Sequence, residues 1–404
     1  MFMPSGRVWN EMRYEPQGFW PSIINRGDEF ALLVKTSTHV IKAAYRSCPV
    51  RLTIALTDTS VGTVLSSVVT IEDDPASPMG IVGVHRHAEE QTALDAIIRL
   101  GKTIIVFFDE LSRPVLRAEV ALSAEARGAA DLLDSPKFLY AGEWLPSFNG
   151  VLDEIQEIID PTRASPSPVT SRHVSVTATL SRFETQTITA VGAHEMREFR
   201  LEDRDEGYVL EHGTWHLVEQ LFKGNVYHSP NVGKPPNQRE LTDILGFCDV
   251  GMCFFETKAA AVLTTAPDRS TERRAKNIKK QIDKGLGQLV GAMNRVASGS
   301  RLTARDGREI ALPAKMGPFR HCVVMVSELL PAVDWENVTA ELLRLSHNDV
   351  TMFHVLDLHE LRLLVGISKE DPILLVGYLD YRFEHIKKVG SALVRMKLDG
   401  PPLP

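Results

Sequence analysis

Residues 239–262 read RELTDILGFCDVGMCFFETKAAAV, and residues 276–296 read KNIKKQIDKGLGQLVGAMNRV. Asp243-Ile-Leu-Gly-Phe247 is a short apolar strand pattern, Cys248-Asp-Val-Gly251 carries turn chemistry, and Met252 to Lys258 is rich in strand formers. With the loop centred on Asp249-Val250, Cys248 pairs with Gly251 and Phe247 with Met252. Continued outward, this register sets Asp243 opposite Glu256, and Lys258 shares the face of Glu256 because strand side chains alternate. Like charges placed opposite one another destabilise a sheet unless something neutralises them. A divalent cation does so, and hard oxygen ligands suit magnesium or manganese. The plainer alternative is a solvated hairpin face with Lys258 as a salt-bridge partner. Against it, Ile244, Phe254 and Phe255 surround these charges with apolar residues, as expected for a charged group beside a core. Asp249 is a turn former, too near the tip to reach Glu256.

An acid followed by Glu256-Thr257-Lys258 on a hairpin, then a polar amphipathic helix carrying Gln281 and Gln288 one heptad apart, resembles the PD-(D/E)xK nuclease superfamily, the restriction-endonuclease-like fold. The resemblance covers roughly residues 205–395, and its specific part is residues 239–296. The Pro of the motif is replaced by Thr242. The resemblance implies an αβ domain with a central mixed sheet flanked by helices, and Mg²⁺- or Mn²⁺-dependent hydrolysis of DNA. It implies metal ligands at Asp243 and Glu256, with Lys258 orienting or deprotonating the attacking water. Gln288, with Gln281, would position water or bind the DNA backbone. The family often adds a glutamate from its first helix. Glu219 is that candidate here, and Glu240 competes with it.

At 404 residues, two domains are the natural prior. Apolar content of 44% supplies sizeable cores. A net charge of −7 argues against a nucleic-acid coat over the whole chain, so DNA contact must come from local basic patches. The four cysteines show no Cys-x-x-Cys spacing, which points to reduced core thiols rather than a zinc site or disulfide framework. The N-terminal residues lack an apolar core of signal-peptide length, and no run of about 18 apolar residues occurs. The expectation is a cytoplasmic protein with no membrane partner.

The fold class expected is α/β, α+β over the whole chain. Residues 1–150 form a β-rich mixed domain, 151–205 a linker with bridging strands, and 206–404 the nuclease-like domain. EFALLVK, HVIKAAY, VRLTIAL and VLSSVVTIE read as strands, and EEQTALDAIIRL as a helix stopped by Gly101. Gly101-Lys102-Thr103 imitates a phosphate loop, but Ala96 occupies the place of its upstream glycine and no helix fits before Asp109. His85, His87, Glu89 and Glu90 read as surface residues ahead of a helix rather than a metal cluster. Residues 150–172 hold a short acidic helix and then a Pro/Ser linker, the strongest boundary signal of the chain. VSVTATL, TQTITAV and EFRLEDRDEGYVL read as strands that either close the N-terminal domain or form a small bridging sheet, and the next helix as capped by Thr214 and stopped by Gly224. HCVVMVSELL and TMFHVLDL are continuous apolar strands, as expected of strands buried on both faces.

Arg269, Arg273, Arg274, Lys276, Lys279, Lys280 and Lys284 make residues 269–284 the most basic stretch. Beside a metal site, Arg273, Arg274, Lys276, Lys280, Lys284 and Gln281 are the candidate DNA contacts. A two-domain chain ending in a nuclease is, by analogy, typical of bacterial restriction and phage-defence enzymes, with the N-terminal domain binding DNA or a partner protein and a homodimer natural for double-strand cutting. The rival is a nuclease-fold module that binds DNA or protein without cutting.

Overall fold

Strand-forming runs separated by turn residues build two principal sheets, one in each half of the chain. The computed structural model describes residues 4–24, 29–72, 78–136, 138–159, 171–191, 196–203, 205–234, 238–259, 271–346 and 350–395. The chain divides into two units, 1–188 with 200–202, and 189–199 with 203–404. Both mix helices with strands, an α/β class. Among the described residues no helix is long and apolar enough to cross a membrane.

The first unit contains α1 (Gly6–Tyr14), β1 (Gly18–Ile24), β2 (Glu29–Lys35), α2 (Thr38–Tyr45), β3 (Val50–Thr59), β4 (Gly62–Ile71), β5 (Met79–Val84), α3 (Ala88–Leu100), β6 (Lys102–Phe108), β7 (Pro114–Leu122), α4 (Ala126–Leu133), α5 (Phe148–Ile159) and β8 (Arg172–Thr185). Its sheet runs β1-β2-β6-β7-β8-β3-β4-β5. The outer strands come together, because a Cβ added to Gly83 of β5 would lie 2.3 Å from the carbonyl oxygen of Phe19 in β1. Two expectations change here. HVIKAAY is the helix α2, whose Val40, Ile41 and Ala44 are buried at helical spacing and whose first turn is capped by Glu110, which accepts from the Thr38 amide at 2.6 Å. The boundary set at 151–205 moves: the acidic helix is α5, and of the two readings of the strands after it β8 closes the N-terminal sheet, pairing with both β7 and β3, so α5 and β8 belong to this unit. Residues 160–170, the Pro/Ser part of the boundary signal, lie outside the described residues.

A two-stranded sheet of β9 (Ile188–Val191) and β10 (Met196–Phe199) follows. The second unit then runs through α6 (Glu206–Phe222), β11 (Val226–His228), β12 (Asn231–Val232), β13 (Arg239–Glu240), β14 (Ile244–Cys248), β15 (Gly251–Lys258), α7 (Thr271–Ala297), β16 (Leu302–Thr303), β17 (Phe319–Val326), α8 (Trp335–Leu345), β18 (Thr351–Leu356), α9 (Leu358–Ile367) and α10 (Pro372–Val389). Its five-stranded sheet has the order β11-β14-β15-β17-β18, antiparallel through β15 and parallel from there to β18. Ile278, Ile282, Leu286 and Leu289 of α7 pack in one core with Leu245, Phe247, Phe254 and Val324. Gly246 points to the other face, where Phe222 of α6 lies 2.8 Å from the position of an added Cβ. Helices therefore cover both faces, and the ends of β11, β15, β17 and β18 share one edge with the start of β14.

α6 begins eight residues before Thr214, at an Asp205 cap that accepts from the Tyr208 amide. Thr214 sits inside the helix, its hydroxyl bonded back to the Leu210 carbonyl. The stretch DEGYVL is thus helical rather than extended.

Candidate functional site

The β14–β15 register is the one read from the turn: Cys248 pairs with Gly251, Phe247 with Met252 and Ile244 with Phe255. The ladder ends there. Beyond it, side chains take the places of backbone groups. The Thr242 hydroxyl lies 2.8 Å from the Phe255 carbonyl and 3.2 Å from Glu256 Oε2, one proton shared between two acceptors. Asp243 Oδ2 accepts from the Thr257 amide and the Thr257 hydroxyl, both at 2.6 Å.

Glu256 is 3% exposed, and Lys258 Nζ donates to its Oε1 at 2.6 Å and to the Thr257 carbonyl at 3.0 Å. Burial pushes the Glu256 carboxyl up; the charge of Asp243 pushes it the same way, and the Lys258 ammonium opposes both. Lys258 is overlaid by α7, which comes close because residue 285 is glycine. A Cβ there would lie 2.9 Å from Val324 Cγ1 and 3.4 Å from Lys258 Cγ.

The three charged groups meet at the strand ends, but not as a single patch of three free side chains. Asp243 is tied to Thr257 and lines a cleft with Tyr208, Glu211 and His212 of α6. Glu256 and Lys258 form their own pair beneath α7. The difference arises because strand alternation stops governing side-chain direction once the ladder ends at Ile244.

Of the acids expected to complete the set, Glu240 lines the cleft beside Asp243. Glu219 does not: it is 4% exposed and follows Glu211 by eight residues, about 12 Å of helix. Its Oε1 lies 3.7 Å from His216 Nδ1. Among the described residues no three His, Cys, Asp or Glu side chains are grouped to hold a metal ion. Two carboxylates still suit magnesium, which keeps several waters and takes further oxygens from substrate phosphate. A buried carboxyl destabilised by a second one is also the electrostatic setting that a divalent cation relieves.

The basic helix divides by face. Arg274 is withdrawn from the DNA candidates, because it is buried on the Ile278–Ile282 stripe and bonded to Glu328 at 3.0 and 3.2 Å. Burial pushes the Glu328 carboxyl up, and Arg274 holds it down. Lys276 pairs with Glu272 at 2.7 Å on the exposed face, and Arg273, Lys280 and Lys284 are exposed. Arg269 lies outside the described residues. Gln288 is exposed and lies three residues beyond Gly285. Gln281 is half-buried and lies one turn before Gly285.

Several residues of the cleft were missed from sequence. His228 at the end of β11 has its Nε2 2.6 Å from Glu211 Oε1, and its ring lies 5.1 Å from that of His212. Arg305 completes the wall. Placing the helix start at Thr214 removed Glu211 and His212 from α6; the Asp205 cap followed by Glu206 was the signal for the earlier start. Comparison of the chain with family models, curated proteins and solved structures finds no match.

Proposed function

We propose that the protein is a metal-dependent nuclease that hydrolyses DNA phosphodiester bonds, in the setting of bacterial restriction or phage defence. The observation that carries this is the Glu256–Lys258 pair, held at 2.6 Å at the end of β15 with the charge of Asp243 acting on the same carboxyl. A magnesium or manganese ion held there would polarise the scissile phosphate and lower the pKa of an attacking water. Asp243 and Glu256 would be its ligands. The Thr257 amide and hydroxyl fix the orientation of Asp243, so little reorganisation is left for the moment of binding. Lys258 is the cation at hand to offset charge that develops on phosphate oxygens. Arg273, Lys280 and Lys284 supply cations for the DNA backbone.

The rival, a DNA- or protein-binding module that does not cut, is favoured by one observation: Lys258 already neutralises Glu256, as a purely structural ion pair would. Plasmid incubated with Mg²⁺ or Mn²⁺ separates the two. Cutting by the wild type that is lost in Asp243→Ala and Lys258→Ala supports the nuclease. DNA binding without cutting supports the rival, and cutting that persists in both variants removes the site assignment.

A further inference from the structure

We propose that the cleft beside Asp243 seats the nucleotide adjoining the scissile phosphate, with Arg305 on its phosphate and the Tyr208 ring against its base. This rests on the nuclease reading of Asp243. The cleft has a volume of about 660 Å³ and shares Asp243 with the candidate metal site, so chain running through one must pass the other.

The charges decide what Arg305 is for. Asp205, Glu211, Glu240 and Asp243 line the cleft, and alone they would repel a phosphodiester. Nearby cations are engaged elsewhere: Lys258 on Glu256 and Arg274 on Glu328. Arg305 lines the same cleft, is exposed, and has no ion pair with any described residue. A guanidinium presents a planar fork of donors that fits two phosphate oxygens at once.

The aromatic wall supplies the second contact. Tyr208 is 47% exposed, large for an aromatic ring on a helix with an otherwise buried face. It is not loose. Its ring packs edge-on against His212 at 3.9 Å between centroids, and His212 is only 5% exposed. Behind these stands His228, fixed by Glu211 and flanked by Trp215 at 5.4 Å. An exposed ring on a rigid backing is a platform on which an unstacked base can lie, whichever base it is.

The test measures binding of a labelled single-stranded DNA oligonucleotide by anisotropy in Ca²⁺, and cleavage of the same DNA in Mg²⁺. Arg305→Ala should weaken binding about tenfold and raise KM more than it lowers kcat, with Arg305→Lys in between. Tyr208→Ala should weaken binding, and Tyr208→Phe should retain it. Arg308→Ala is the control, since Arg308 is exposed and already paired with Asp306 at 2.7 Å. If the wild type binds and Arg305→Ala binds equally well, the proposal is overturned while the nuclease reading stands. If the wild type binds but never cuts, the nuclease reading falls and the comparison of Arg305→Ala with wild type still decides the cleft. If the wild type neither binds nor cuts, both are lost. Unfolding curves that superimpose for wild type and Arg305→Ala assign any loss to the contact itself.

Discussion

Thr257 holds Asp243 from two directions at once: its backbone amide and its side-chain hydroxyl each reach the same carboxylate oxygen, Oδ2, at 2.6 Å. The acid is therefore positioned by the strand that carries Glu256 and Lys258, and the three cannot drift apart independently. Thr257→Val keeps the amide donor and removes the hydroxyl. Loss of one hydrogen bond to a charged group should cost about 1.5–3 kcal/mol of stability, read from the denaturant midpoint. Metal-dependent cleavage should drop about tenfold, whereas Thr257→Ser should retain it. An unchanged rate in Thr257→Val would mean that Asp243 needs no such holding.

Lys258→Met leaves Glu256 buried without its cation. The Glu256 carboxyl already titrates above its ordinary range, and removing Lys258 takes away what opposes that shift. A carboxyl raised in the folded state binds more protons folded than unfolded, so stability falls as pH rises above about 4.5. The variant should lie near wild type at pH 4.5 and be weaker by about 3 kcal/mol at pH 8, from urea unfolding at both values. Equal losses at the two pH values would show that charge is not the cause.

His321 and His354 face each other across β17 and β18, with Nδ1 and Nε2 3.1 Å apart and both rings fully buried. Burial lowers His321 to about 4 and His354 well below its ordinary value. The unfolded chain binds these protons from about pH 6.5 downward and the folded chain does not. Stability should thus be intact above pH 6.5 and fall by roughly 3 kcal/mol for His321 alone by pH 4. His321→Gln should flatten that acid limb. A limb identical to that of wild type would contradict the assignment.

Two glycines of α7 should respond oppositely to alanine. At Gly285 the new methyl would lie 2.9 Å from Val324 Cγ1, forcing helix and sheet apart, so Gly285→Ala should cost about 1–3 kcal/mol. At Gly287 nothing lies within 4 Å, and the better helix former should add up to about 1 kcal/mol. Thermal melts of the two variants give the signs directly.

How much could be read beforehand depends on how local the physics is. The hairpin register followed from two turn residues and strict alternation, and the structure has it. The end of that hairpin did not, because Thr242 and Asp243 replace backbone partners with side chains, which no periodicity encodes. Arg274 was legible in principle: it stands four residues before Ile278 and eight before Ile282, on the buried stripe, yet the charge run around it dominated the reading. HVIKAAY has β-branched residues that favour a strand, and tertiary burial with a cap from Glu110 decided for a helix.

The position of β8 governs how the protein can be divided. This strand is the seam between β7 and β3, although it is the last of its sheet to be synthesised. A chain stopped at residue 150 would leave a three-stranded and a four-stranded ribbon, each with a raw edge inviting self-association. A chain carried through Ile188 would have both halves stitched together.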